Sequence, residues 1–373
     1  MATMPKLIIG IPLENPDLFY ASGFRAVDPV VLLDTGTART LVVSTMESGR
    51  AARECPGVRV VTPQDLGLKR RYRGGQAQWA KRLLDREGFR RVRVPSSFPV
   101  GPARFLESRG ARVQVETGPL YPERAVKRPD EIRRIGEAQE AAVIAMRAAI
   151  RVIADAAWDR EGFLKHGGRR LTSEAVRLEI QRVLLARDCS GQDQIVACGE
   201  TSADPHAIGE GPLRAHEPIV IDIFPRHQRH GYWGDLTRTV VRGTASAKLR
   251  RQYAAVRAAQ RAALAAVRPG VSCARVHAAA CHEFKRRGFE TGFTAGRPHG
   301  FIHGTGHGVG LAIHEAPSVA NVEGRLRAGN VITVEPGLYY LGVGGIRIED
   351  MIVVTRTGWR YLVPCEKRFE LLD

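Results

Sequence analysis

Five segments in the C-terminal half of the chain each set a metal-competent side chain inside a strand or a tight loop. Ile219-Val220-Ile221-Asp222-Ile223-Phe224 is a buried-strand pattern carrying an acid, and Gly231-Tyr232-Trp233-Gly234-Asp235-Leu236-Thr237-Arg238-Thr239-Val240-Val241 reads as the returning strand carrying a second. The others are His303-Gly304-Thr305-Gly306-His307-Gly308-Val309-Gly310, Val331-Ile332-Thr333-Val334-Glu335-Pro336-Gly337-Leu338 and Gly345-Ile346-Arg347-Ile348-Glu349-Asp350. A carboxylate buried without a partner is costly enough to shift its pKa and neutralise. One such acid is equally well a structural ion pair. Four acids and a histidine together are explained by a binuclear centre, in which two divalent cations balance Asp222, Asp235, Glu335 and Glu349 and His307 adds a neutral nitrogen. A carboxylate-rich donor set favours hard ions, Mn²⁺ first, with Co²⁺, Fe²⁺ or Zn²⁺ as alternatives.

Other motifs do not survive inspection. Asp34-Thr35-Gly36 matches an aspartic-protease triplet, but that chemistry needs two carboxylates sharing a proton, and a hairpin turn explains a single copy. His282-Glu283 begins like a zincin helix, yet the fifth position is Arg286. His303 and His307 are four apart, but the glycines between and after them argue against a helix, and they form no dinucleotide fingerprint.

The elements that must carry the five segments follow from periodicity. Residues up to about 123 read as a small α/β region, with a hairpin at Val30–Leu33 and Leu41–Val43, short strands at 58–61 and 92–94, and helices at 76–87 and 101–108. A long helix opens near Asp130, where Asp130 and Glu131 suit the helix dipole, and Ile132, Ile135, Ala138, Ala142, Ala145 and Ala149 trace one face. The domain boundary falls just before it. Thr172 is the N-cap of a helix over 172–187, and helices are expected over 248–267, ended by Pro269-Gly270, and 272–287.

Composition bounds the rest. The 373 residues suit two domains at roughly 100–200 residues each, and 44% hydrophobic with 25% charged is globular composition. No apolar run approaches the ~18 residues of a membrane span, and Leu7–Ile11 before Pro12 is too short for a signal segment. Lys and Arg number 56 against 39 Asp and Glu, a net +17, but the basic residues are scattered, their densest cluster is the short Lys69-Arg70-Arg71-Tyr72-Arg73, and aromatics are only 6%. Nucleic acid is therefore not the expected partner. Six cysteines without a Cys-x-x-Cys pair read as reduced thiols of a cytoplasmic protein.

The Asp…Asp-x-Thr-Arg pair, the His-Gly-x-x-His-x-x-Gly loop, the Glu-Pro-Gly-x-Tyr strand and the Gly-x-Arg-x-Glu-Asp strand together resemble the pita-bread metallopeptidases, the group of methionine aminopeptidase, aminopeptidase P, prolidase and creatinase. The resemblance implies an α+β fold, with a pita-bread catalytic domain over 125–373 and a smaller α/β creatinase-type domain over 1–124. It implies metal ligands at Asp222, Asp235, His307, Glu335 and Glu349, substrate-facing His206, His303 and His314, and a supporting Arg347. A folded domain ahead of the catalytic one is similar to the proline-specific branch, and creatinase lacks the metal ligands that are all filled here. The implied activity is an Xaa-Pro aminopeptidase or dipeptidase, acting on a peptide or dipeptide with proline second, in a homodimer. Glu335 would take and return the proton, and His303 and His314 would donate to the scissile carbonyl. His206 would face the residue after the cut, and Arg238 would be structural. One departure is a longer hairpin, since twelve residues separate Asp222 from Asp235. Rival readings are a hydrolase of non-peptide C–N bonds on the same fold and a basic, non-catalytic scaffold for RNA or ribosomes. Four buried acids argue against the scaffold.

Overall fold

Strands with apolar side chains on both faces need cover on both sides, and the N-terminal region supplies it. The computed structural model describes residues 4–68, 75–294 and 296–372, so the basic run Lys69-Arg70-Arg71-Tyr72-Arg73 lies outside the described residues. Two compact units divide the chain, Met1–Arg124 and Ala125–Asp373. In the first, strands β1 (Lys6–Gly10), β2 (Val30–Asp34), β3 (Arg39–Val42), β4 (Arg59–Val61), β5 (Arg91–Pro95) and β6 (Arg112–Glu116) form one sheet in the order β4-β3-β2-β1-β5-β6. Helices α1 (Pro16–Ser22) and α2 (Ser48–Glu54) pack with Ile8, Leu32 and Leu41 on one face, while α3 (Gly75–Arg86) and α4 (Val100–Glu107) pack with Leu7, Val31 and Leu33 on the other. Leu7–Gly10 of the N-terminal apolar run lie in the central strand β1. Asp34 closes the expected hairpin, accepting hydrogen bonds from Gly36 N (2.8 Å) and Tyr121 Oη (2.9 Å), so its triplet is a turn.

The second unit opens with α5 (Pro129–Ala154), whose first turn is closed by the Glu131 carboxylate accepting from Arg128 N at 2.8 Å. Short strands β7 (Ala157–Trp158), β8 (Leu164–His166) and β9 (Arg169–Arg170) follow, then α6 (Ser173–Leu185), capped by Thr172. Next come β10 (Cys189–Ser190), β11 (Ile195–Cys198), β12 (Ile219–Ile223), β13 (Arg226–His227) and β14 (Leu236–Arg242). Helices α7 (Ala247–Ala266) and α8 (Cys273–Arg286), capped by Ser246 and Ser272, precede the hairpin β15 (Gly292–Thr294) and β16 (Arg297–His299). The chain ends with β17 (Gly306–Gly308), β18 (Glu315–Val319), β19 (Val331–Val334), β20 (Gly337–Tyr340), β21 (Gly344–Arg347), β22 (Asp350–Val354), β23 (Trp359–Tyr361) and β24 (Glu370–Leu371). Among the described residues no helix is long and apolar enough to cross a membrane.

Two sheets organise this unit, β11-β12-β14-β24 and β18-β17-β19-β22-β23, with the hairpin β20-β21 beside them. Helices α5 and α6 bury their apolar faces with Ile219, Ile221, Ile223, Leu236 and Val240. Helices α7 and α8 do the same with Ile332, Val334, Ile346, Ile348 and Ile352. Side chains alternate along a strand, so Asp222, between Ile221 and Ile223, and Glu349, next to Ile348, point away from the helices, whereas Asp350, in step with Ile348 and Ile352, faces α7.

The returning strand is shorter than the sequence pattern suggests. The ladder with β12 starts at Leu236, and Gly231–Asp235 lie outside it. Gly234 presses against α5 so closely that a Cβ there would stand 2.7 Å from the Ala138 and Gln139 backbone. The Gln139 side chain then replaces a strand partner for Asp235, accepting from its N–H (2.7 Å) and donating to its C=O (2.9 Å). Gln260 on α7 plays the same part elsewhere, its amide nitrogen reaching the Val334 (3.0 Å) and Ile348 (3.2 Å) carbonyls and Asp350 Oδ2 (3.0 Å).

Gln260→Leu keeps the volume and takes the amide donor from the buried Val334 and Ile348 carbonyls, while Asp350 Oδ2 keeps Lys367 at 2.6 Å. The expected loss is about 2–3 kcal/mol, read as a lower urea midpoint at unchanged m. An unshifted midpoint would show that the acceptors find other partners.

Candidate metal centre

The strand alternation delivers the five expected ligand residues to one place. Asp222 stands on β12, Asp235 just before β14, His307 on β17, Glu335 just after β19 and Glu349 just before β22. The ligating atoms of Asp235, His307 and Glu349 all lie within 4.8 Å of one another. His307 Nε2 is 3.6 Å from Asp235 Oδ2 and 3.2 Å from Glu335 Oε1. Its Nδ1 donates to the Gly308 carbonyl at 3.2 Å, which turns Nε2 toward the acids. Thr237 Oγ1 donates to Glu349 Oε2 at 2.7 Å. The Thr333 hydroxyl accepts from His307 N (3.0 Å) and donates to Glu335 Oε1 (3.1 Å), tying two of the five together.

Arg347, only 4% exposed, is the buried cation of the group. It donates to Asp222 Oδ2 (2.7 Å), Tyr339 Oη (2.9 Å), the Pro205 carbonyl (3.1 Å) and Thr237 Oγ1 (3.2 Å). One guanidinium cannot neutralise four acids. Burial, then the charges of Glu349, Asp222 and Glu335, push the Asp235 carboxyl well above its usual range. Burial and the charges of Glu335 and Asp222 do the same to Glu349. Burial also opposes the charge on Glu335, but the hydrogen bond and charge of His307, with His303 and Arg347, outweigh it and bring that carboxyl to about 2. Desolvation works against the imidazolium of His307, and Glu335 more than compensates, raising it. Asp222 Oδ1 is buried without a hydrogen-bond partner. An excess of buried carboxylates, a histidine nitrogen turned toward them and an orphaned oxygen fit a divalent metal.

These residues floor a cleft of ≈ 1140 Å³ whose walls include Ile195, Ile208, Phe224, Ile302 and Ile313. The three expected substrate-facing histidines line the same cleft. His314 is exposed and sits edge-on to His307, ring centroids 4.3 Å apart. His206 is exposed on the rim, its N–H bonded to Asp204 Oδ1 at 3.0 Å. His303 is more constrained, with Nδ1 donating to the Gly304 carbonyl (2.8 Å) and Nε2 accepting from the Tyr339 hydroxyl (3.0 Å). Tyr339 itself accepts from Arg347, so its proton is committed to His303. A hydrogen bond from His303 to substrate therefore requires the ring to leave Tyr339.

Sequence reasoning assigns no role to Tyr339, Thr333 or Gln139; the only signal is the Tyr of the Glu-Pro-Gly-x-Tyr strand. Arg238 is structural as expected, 1% exposed, paired with Asp350 at 2.7 Å and bonded to the Glu366 and Cys365 carbonyls. Glu283 of the zincin-like pair is held by Arg286 and Arg287.

The longer turn after Asp222 brings His227 and His230 beside Glu137 of α5, a second group of ligating types. The two rings stack with centroids 3.8 Å apart. Each accepts a backbone N–H at Nδ1, from Arg229 (3.2 Å) and Tyr232 (3.3 Å). A neutral imidazole so engaged carries its proton on Nε2, the nitrogen that His230 turns to Glu137 at 3.1 Å. The turn is thus built as a packed histidine pair rather than as a metal site.

The signature of metallopeptidase family M24 matches residues 130–356. A Xaa-Pro dipeptidase of Pyrococcus horikoshii is 29% identical over 361 residues, which cover 95% of this chain and 92% of that one. Among solved structures, the prolidase from Pyrococcus horikoshii is similar with a TM-score of 0.81 and 27% identity, over 98% of this chain and 94% of that one. An X-Pro aminopeptidase from Thermotoga maritima shares the fold with a TM-score of 0.80 at 24% identity, over 99% and 97%.

The raised carboxyls make a signed prediction for metal-free protein. A folded-state pKa above the unfolded one contributes stability in acid that is lost as pH rises through the folded value. Between pH 5 and 8 the melting temperature of metal-free wild type should therefore fall relative to that of Asp235→Asn, and Mn²⁺ at pH 8 should raise wild type more than the variant. Parallel melting curves would remove the charge-crowding account.

Proposed function

Because the chain belongs to metallopeptidase family M24, we propose that it is an Xaa-Pro exopeptidase, releasing the N-terminal residue from peptides or dipeptides that carry proline second. The observation that carries this reading is the set Asp222, Asp235, His307, Glu335 and Glu349 converging on the floor of one cleft. The similarity to a Xaa-Pro dipeptidase and a prolidase supports the proline-specific branch.

The five residues would hold two divalent ions, manganese first by donor chemistry, which supply Lewis acidity toward the peptide carbonyl and toward the attacking water. Glu335 handles the proton. Its Oε1 is engaged by His307 and Thr333, so Oε2 accepts the proton of the attacking water and returns it to the departing nitrogen. The carboxylate is depressed chiefly by His307 and becomes more basic whenever that imidazole is neutral, because burial is then opposed mainly by His303 and Arg347. His314 offers an N–H to the carbonyl oxygen as it becomes tetrahedral, and His303 does so once it has released Tyr339 and carries a proton on Nε2. His206 lies beside the residue after the cut. Arg347 orients Asp222, and through Tyr339 it sets the position of His303. Isoleucine and phenylalanine walls suit an apolar side chain and a proline ring. We further propose a homodimer in the cytoplasm; the six free cysteines agree with a reducing compartment.

The test is mass spectrometric. Mn²⁺-loaded protein is incubated with Xaa-Pro dipeptides, longer peptides beginning Xaa-Pro, and Xaa-Ala controls. Loss of the first residue only before proline is expected, and the preferred length separates dipeptidase from aminopeptidase. No cleavage by protein carrying two metals would move the substrate away from peptides. Glu335→Ala and His307→Ala should each lower turnover by at least ~10²-fold in soluble, folded protein. Near-normal turnover in either would overturn the assigned roles.

A further inference from the structure

Lys127 and Glu315 form an ion pair of 2.7 Å whose side chains are 1% and 9% exposed. Neither residue is a ligand, yet Glu315 immediately follows His314. We propose that Lys127 is a positioning residue for His314, holding Glu315 so that the turn 310–315 presents the histidine to the cleft. The inference rests on the functional reading above.

The turn has little regular structure of its own. It joins β17 to β18 across a register shift at His307 and Gly308, and Glu315 is the residue that pairs with Gly308. Inside it, Gly310 N–H donates to the Ala312 carbonyl at 3.1 Å, and Ala312 N–H donates to Glu315 Oε2 at 3.3 Å. The carboxylate therefore closes the turn from within. It fills the space beside Gly310 so completely that a Cβ there would stand 2.3 Å from Oε1. On the outer side, Trp233 donates its backbone N–H to the Gly310 carbonyl (3.0 Å) and its indole N–H to the Leu311 carbonyl (3.2 Å). Trp233 is two residues from Asp235, so the outer clamp is tied to the ligand strand.

The inner clamp is tied to Lys127, and Lys127 has a fixed station. Its N–H donates to the Gly329 carbonyl at 2.9 Å, and α5 begins two residues later. A Cβ at Gly329 would stand 2.8 Å from the Val126 side chain and 3.2 Å from the Lys127 carbonyl, so the two segments meet closely. A buried carboxylate stripped of its cation seeks water or a proton. Glu315 would then turn outward, release Ala312 and let the turn, with His314, drift. Displacements of about 1 Å at a positioned group are enough to cost ~10²-fold in rate.

Lys127→Met and Lys127→Arg test this, alone and combined with His314→Ala. Lys127→Met should lower kcat for an Xaa-Pro dipeptide by ~10–10²-fold with little change in KM, while Lys127→Arg, which keeps the cation, stays within ~3-fold. Added to His314→Ala, Lys127→Met should cost less than ~3-fold more, because residues acting as one unit are not additive. Losses that multiply in the double variant, or full turnover in Lys127→Met, overturn the proposal. A second readout needs no catalysis: in metal-free protein, hydrogen exchange at the Ala312 amide and the Trp233 indole should quicken in Lys127→Met while α6 amides stay protected. Unchanged exchange overturns the clamp. Should Lys127→Met fail to fold, Lys127→Gln takes its place in both readouts. If wild type cleaves no peptide, the functional reading fails, and exchange alone decides the clamp.

Discussion

Four carboxylates in one buried cluster repel one another, and the second unit is organised around holding them there. At 4 Å and an effective dielectric near 20 a pair of like charges costs about 4 kcal/mol. Arg347, the imidazolium of His307 and the Thr237 and Thr333 hydroxyls offset part of this. The remainder is resisted by the strands themselves. Each acid lies next to isoleucines, leucines or valines sunk into a helix layer, so a carboxylate can retreat only if its strand leaves the core. Crowding that would scatter mobile side chains is instead stored as two protonatable acids waiting for a cation.

That logic explains which parts are legible in the sequence. An acid among alternating isoleucines is a local pattern, so Asp222, Asp235, Glu335 and Glu349 stand out from the order of residues alone. Helix caps are local too, and Thr172 caps α6 as expected. The groups that hold the acids are not local. Gln139 stands 96 residues from Asp235, and a glutamine within an Ala-rich helix face carries no mark of its task. Tyr339 looks like any strand aromatic until Arg347 and His303 are seen on its hydroxyl. The start of β14 is misleading in the sequence because the apolar texture of Gly231–Val241 runs on through residues whose backbone is satisfied outside the ladder, Trp233 by Gly310, Gly234 by Pro225 and Asp235 by Gln139 of α5.

The glycines of the His303–Gly310 loop read in the sequence only as enemies of a helix. Their positive reason is contact. A Cβ at Gly306 would stand 2.1 Å from the Thr333 carbonyl, and one at Gly308 would stand 2.3 Å from that of Ala316. His307 can lie on a strand between β18 and β19 only because its flanking residues have no side chains. Ring orientation follows, since the backbone that accepts from Nδ1 is held by both neighbours.

The five residues proposed as ligands also come from both sheets, and the seam between them is narrow. Glu349 donates its N–H to the Thr237 carbonyl at 3.1 Å and receives the Thr237 hydroxyl, across a sequence separation of 112. In a folding order in which each sheet first meets its own helices, contacts of such high order are made late. A cation bridging that seam would therefore be absent from the folding transition state. It would lengthen the native lifetime by slowing unfolding and leave the refolding rate almost untouched, so that metal supply governs endurance rather than assembly.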